Sequence, residues 1–130
     1  MRQLILIVLL VFSSSPVYAE WVEVSSNKQA GVIAYADPGT IHRTGDLVKM
    51  WSLFDIRTTH TARSNSYSSI KSLQKYDCAE DRSRALAYTK FSGNMGHGKV
   101  VYRNSDEGMW APIAPVSVGQ ELWKVACGKK

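Results

Sequence analysis

Between Ser68 and Tyr88 the chain alternates twice between apolar and polar positions. Ile70, Tyr76 and Cys78 fall on one parity, and Lys71, Lys75 and Asp77 on the other. A period of two predicts a half-buried strand. Arg82, Arg84, Leu86 and Tyr88 repeat the pattern against Ser83, Ala85, Ala87 and Thr89. The polar break Ala79-Glu80-Asp81 between the two runs predicts a hairpin turn. Upstream, residues 21–25 alternate as a first strand, and 32–36 as a second, ended by Asp37-Pro38-Gly39 because proline cannot donate to a ladder. Residues 40–43 lead into a further break at Thr44-Gly45-Asp46. Residues 47–58 form a long third strand. Val48, Met50, Phe54 and Ile56 share one parity, while Trp51 and Leu53 lie on the other with Lys49, Asp55 and Arg57. Apolar residues on both sides predict a central strand whose second face is partly covered.

Beyond a polar loop at 59–66 and the hairpin, the pattern loosens. Residues 91–98 carry three glycines in six positions, which predicts a mobile loop or a turn needing positive φ. Residues 99–103 read as a last short strand, and two prolines keep 110–115 out of any helix interior. The period then changes. Ser117 is placed to cap a helix, Gln120 to complete a capping box, and Gly128 to stop it. Val118, Leu122, Val125 and Ala126 line one face, with Glu121 early and Lys124 late, as the helix dipole favours. A helix this short is marginal alone and must pack against the sheet.

The N-terminus belongs to a different category. Arg2 is followed by an apolar run at 4–12 and a break at 13–16, with Val17 and Ala19 as small residues ahead of Glu20. This is the pattern of a secretory signal peptide over residues 1–19, leaving one domain over 20–130. The run is too short to span a bilayer core of about 30 Å, and no later stretch is long and apolar enough to do so. No cysteine follows the run to take a lipid. In an exported chain the only two cysteines, Cys78 and Cys127, predict a single disulfide. Closing a loop of about 50 residues stabilises by roughly 4 kcal/mol in the chain-entropy model. A reactive thiol would need an activating base or a CxxC pair, and neither is visible.

Composition adds little chemistry. Without Arg2 the chain keeps 15 of its 16 Lys and Arg against 11 Asp and Glu, a formal charge of +4. The basic residues are scattered, with no arginine-rich arm, so nucleic acid is excluded as a partner. His42, His60 and His97 stand far apart, which predicts no metal site. There is no GxSxG, P-loop or GxGxxG, and no cofactor or enzymatic activity is expected. Trp51, Tyr76 and Trp110 are the candidates for lining a ligand groove, although aromatics in a small β domain are usually core.

A larger pattern then emerges. It comprises Asp37-Pro38 with Ile41-His42-Arg43 and Gly45, then Val48-Lys49-Met50-Trp51 with Asp55. It continues through Ser68 to Tyr76-Asp77-Cys78 with Arg82 and Arg84, Gly98 to Val101, and Trp110 to Pro115 with Ser117, Trp123 and Cys127. This ordered set resembles the surface-adhesin protein E-like family of bacterial exported domains, over nearly the whole mature chain. The resemblance implies an α+β fold: a twisted antiparallel sheet of about six strands, with a C-terminal helix tethered to its concave side by Cys78–Cys127.

Two functions follow as expectations. The first is a non-enzymatic binding domain, adhesin-like, holding extracellular-matrix or envelope proteins, with a second copy of the chain as an optional partner. The second is a periplasmic small-ligand carrier or envelope-stress protein using the groove between sheet and helix. The compartment is the periplasm or the cell surface. The expected interaction surface is basic: Lys71 and Lys75 share one parity of a strand, Arg82 and Arg84 one parity of its hairpin partner. Whether both sets face the same way depends on the register of the turn between them.

Overall fold

In the computed structural model, residues 20–27, 30–57 and 66–129 are described. The expected signal peptide, most of the 59–66 loop and Lys130 lie outside the described residues. The described strands are β1 (Val22–Asn27), β2 (Val32–Thr44), β3 (Leu47–Ile56), β4 (Ser69–Asp77), β5 (Arg82–Phe91), β6 (Val100–Asn104) and β7 (Ala111–Pro112). β1 to β6 lie side by side in chain order, each antiparallel to the next, and β7 pairs with the start of β5. A meander of this kind needs only short reversals between neighbours. It is an open antiparallel sheet with one helix, as expected.

Two strands differ from the reading of the sequence. In the sequence, its proline marks β7 only as non-helical. It is pinned by hydrogen bonds from Gly108 N to the Ala85 carbonyl (2.8 Å) and from Ile113 N to the Asp81 carbonyl (2.9 Å). Its proline sits on an edge strand, where a missing donor is tolerated. β2 does not end at Asp37-Pro38-Gly39 but runs on to Thr44 through a bulge between Asp37 and His42. Side chains replace the ladder there. Asp37 Oδ1 accepts from Gly39 N (3.1 Å), and the Thr40 hydroxyl donates to the Asp37 carbonyl (2.6 Å). The same hydroxyl accepts from Trp51 N on β3 (3.0 Å). The proline is thus held in a bulge, one of the few places a sheet admits it.

One face of the sheet carries the core. Ala36, Val48, Met50 and Tyr76 are buried there against Leu122, Trp123, Ala126 and the two cysteines, with Phe54, Val118 and Val125 packed around them. Each fully buried large apolar side chain contributes roughly 1.5–3 kcal/mol. The helix, α1 (Val118–Cys127), lies over β1 to β4. Its start is capped as the sequence predicted: Ser117 Oγ accepts from Gln120 N at 3.1 Å. Gln120 Oε1 reaches back to Val116 N (2.9 Å) rather than to the cap residue itself. Val116 has φ +53, a left-handed conformation that a β-branched residue adopts only under strain. Gly128 ends the helix at φ +68, with Lys129 N donating to the Lys124 carbonyl at 2.8 Å. That is the left-handed reversal expected of a glycine stop. The bond Cys78–Cys127, with Cα atoms 5.6 Å apart, ties the last helical turn to the end of β4.

The second face of β3 is covered at one end, again as the alternation implied. The glycine-rich loop closes into a 3-10 turn at Asn94–Gly96 instead of standing free. Asp55 and Leu53 are fully buried beneath it. Asp55 Oδ1 accepts from Asn94 Nδ2 (3.0 Å) and Met95 N (2.9 Å). On Oδ2, Arg57 Nε closes to 2.6 Å as an ionic contact without hydrogen-bond alignment. Ser69 Oγ donates to the Gly93 carbonyl (2.6 Å) and accepts from Gly96 N (2.9 Å).

Candidate binding face

The register of the β4–β5 hairpin decides where the basic side chains point. Asp77 pairs with Arg82 and Lys75 with Arg84; beyond a bulge after Leu73, Lys71 pairs with Thr89. Side chains directly opposite share a face. Lys71, Lys75, Arg82 and Arg84 therefore all lie on the face away from α1.

Their surroundings differ. Arg82 Nε donates to Asp77 Oδ2 at 3.0 Å, and its guanidinium lies 4.5 Å from the centre of the Trp110 ring. Arg84 pairs with Glu107 at 3.2 Å, donates to the Gly108 carbonyl at 2.9 Å and flanks the same indole at 5.4 Å. Both arginines are thereby held in place, each with a carboxylate partner. Lys71 sits over the Trp51 ring at 4.8 Å. Lys71 and Lys75 have no carboxylate partner among the described residues.

Asp77 organises the turn below this face. Its Oδ1 accepts from Ala79 N (3.0 Å) and Glu80 N (3.1 Å), while Oδ2 takes Arg82. Burial works against its charge, but the Glu80 N–H, the Arg82 guanidinium and the Ala79 N–H together hold the carboxyl below its ordinary value. Asp81 completes the reversal with φ +48, a conformation Asp tolerates better than most residues.

Two further groups on the same face escaped the reading of the sequence. Lys49 on β3 stands opposite Lys75, and His42 on β2 stands opposite Lys49. Lys49 was visible on the parity of Trp51. Its alignment with a lysine 26 positions later follows only from the pairing of β3 with β4. His42 was hidden by the bulge that precedes it.

The three aromatics considered for a groove do not converge. Tyr76 is 2% exposed in the core under α1, and burial pushes its phenol far up. Trp51 and Trp110 lie on the opposite face, where they stack with basic residues. On the helix side, beyond α1, Lys90 lies over the rings of Tyr67 (4.4 Å) and Tyr102 (5.6 Å), and Tyr88 neighbours Tyr102 at 5.8 Å. Burial, then Tyr102 beside it, raises the Tyr88 phenol. Among the described residues no group of three His, Cys, Asp or Glu is placed to hold a metal; His60 lies outside them.

A family model for surface-adhesin protein E matches residues 21–128. The chain belongs to the surface-adhesin protein E family. Solved relatives in fold include protein E of Haemophilus influenzae in a second crystal form, with a TM-score of 0.63 at 11% identity, covering 86% of this chain and 90% of that one. Protein E from non-typeable Haemophilus influenzae aligns with a TM-score of 0.59 at the same 11% identity, covering 86% and 78%. At that identity the likeness concerns the fold. Among curated proteins no sequence match is found. Membership in the protein E family supports an adhesin-like surface protein, and no helix among the described residues is long and apolar enough to cross a membrane.

Proposed function

We propose that this chain is an exported, non-enzymatic binding domain that holds an extracellular-matrix or envelope protein against the sheet face opposite α1. The observation that carries the reading is the division of labour between faces. One side of the sheet is consumed by the helix and the core, while the other keeps Lys71 and Lys75 without acidic partners. Family membership over residues 21–128 supports the same reading. Indole–arginine stacks flanking these lysines suit a docking surface, because arginines already held by Asp77, Glu107 and Trp110 have little further side-chain freedom to lose on contact. Residues 1–19 would direct the domain across the inner membrane, and cleavage after Ala19 would release it.

The test is binding of the purified domain to immobilised extracellular-matrix and envelope proteins at low and high salt. The wild type is expected to bind saturably. Lys71→Glu with Lys75→Glu should slow association and flatten the salt dependence, as changes in rim charge do. Absence of saturable binding to any of these proteins refutes the reading. Intact mass of the exported protein checks the leader: the mature chain should begin at Glu20.

A further inference from the structure

Across four neighbouring strands, His42, Lys49, Lys75 and Arg84 occupy one cross-strand row, each opposite the next. Directly opposed residues have Cβ atoms about 4.5–5.5 Å apart, and like charges in such pairs destabilise a sheet. Arg84 at the end of the row is answered by Glu107. Lys49 and Lys75 have no carboxylate partner among the described residues. Two lysines thus stand directly opposite one another on β3 and β4.

They also border a recess. A pocket of about 200 Å³ is lined by His42, Thr44, Leu47, Lys49 and Lys75. Two lysines, a histidine and a threonine thus surround it together with one leucine. That set of donors suits a compact multivalent anion. The row continues along the sheet. Trp51 is two residues from Lys49 on the same face of β3, and its ring carries the Lys71 ammonium. Lys71 lies four residues from Lys75 on β4, about 13 Å along the strand. The charges are therefore repeated along a line beside an indole edge, not gathered at one point.

We infer that this row is a seat for a sulfated oligosaccharide, one sulfate entering the pocket between Lys49 and Lys75 and the next sugar running past Trp51 toward Lys71. A linear chain carrying repeated sulfates can meet in turn the lysines set along this face, with Trp51 and its stacked Lys71 alongside. The inference goes beyond the proposed function: it uses the same open face, but concerns a glycan, not a protein.

The experiment titrates the mature domain with a heparin-derived octasaccharide by calorimetry and compares three proteins. Wild type should bind saturably. Lys49→Gln with Lys75→Gln should bind about tenfold or more weakly and with a shallower salt dependence. Lys90→Gln with Lys99→Gln, which removes the same charge elsewhere, should bind like wild type. Urea melts provide a readout that a structural role would not give: the Lys49, Lys75 variant should be at least as stable as wild type, because a repulsive pair is gone. No saturable binding by wild type, or an equal loss in both variants, overturns the inference. So does a poly-glutamate peptide that binds as tightly as the glycan. Matrix-protein binding measured in parallel separates the two readings: if it persists while the glycan does not bind, only the seat is refuted. If the glycan binds and no protein does, the seat stands and the proposed function falls.

Discussion

The indole nitrogen of Trp123 donates to the backbone carbonyl of Asp77 across 3.0 Å. One buried hydrogen bond thereby joins the helix to the hairpin turn, beside the disulfide of the adjacent Cys78. Trp123→Phe keeps most of the packing and removes the donor, leaving the carbonyl with an uncompensated loss. A destabilisation of about 1–3 kcal/mol is expected. The shift in urea midpoint at constant m-value measures it.

The Asp77 side chain sets the pH dependence of the same turn. Its carboxyl is held below the ordinary carboxylate value when folded. Its contribution to stability is therefore complete above the unfolded pKa of about 3.9, and is lost as pH falls through the lower, folded value. Urea midpoints measured from neutral pH into acid should fall more steeply for wild type than for Asp77→Asn. Parallel curves would show that the turn's ion pair does not matter.

Docking of α1 can be tested on two of its residues. Leu122 is 3% exposed, so Leu122→Ala should cost roughly 2–5 kcal/mol. Ser117→Ala removes the cap on Gln120 N and should cost about 1 kcal/mol. Chemical denaturation with and without reductant completes the test. Reduction of Cys78–Cys127 is expected to lower stability by up to about 4 kcal/mol, with the helix signal melting first.

The 3-10 turn depends on Gly98. This residue has φ +85, and an added Cβ would lie 2.4 Å from Ser92 Oγ and 3.0 Å from Gly93 N. Gly98→Ala combines a strained backbone with backbone overlap, and a loss of about 1–3 kcal/mol is expected. Amide exchange should report it first at Met95 and Gly96, whose N–H groups bond Asp55 and Ser69. Unchanged protection there would mean the loop accommodates the methyl group.

Much of this architecture was legible because local rules and tertiary packing agree. Parity alone located the hairpin from Ser69 to Phe91 closely, because the alternation of β4 reflects real faces. It misassigned β5, where a bulge puts Arg82 and Arg84 on one face and Tyr88 on the other. Ser117, Gln120 and Gly128 bounded the helix because capping is a local interaction. The misses involve partners distant in sequence. Pro38 looked terminal because nothing nearby reveals that Thr40 will take a hydrogen bond from Trp51. Trp123 lay outside the predicted apolar stripe, and it is buried because its one polar atom finds the Asp77 carbonyl. The cationic row was visible only in part. Lys75 and Arg84 were identified, but Lys49 and His42 join them through the registers of β2, β3 and β4, which alternation cannot fix.

Between Asp37 and His42, β2 advances five residues while β3 steps back only two, from Trp51 to Lys49. An odd step set against an even one inverts the phase of the strand. Ahead of the insertion the odd-numbered residues Ile33, Tyr35 and Asp37 share the face of Trp51 and Leu53; after it the even-numbered His42 and Thr44 do. The insertion thus works as a switch of handedness in the side-chain pattern, turning His42 and Thr44 toward the lysines and Arg43 away from them. One residue lost or gained between Pro38 and Ile41 would reverse that choice while leaving the outer hairpin free to pair. The length of this stretch, more than its composition, determines which chemistry that end of the sheet presents.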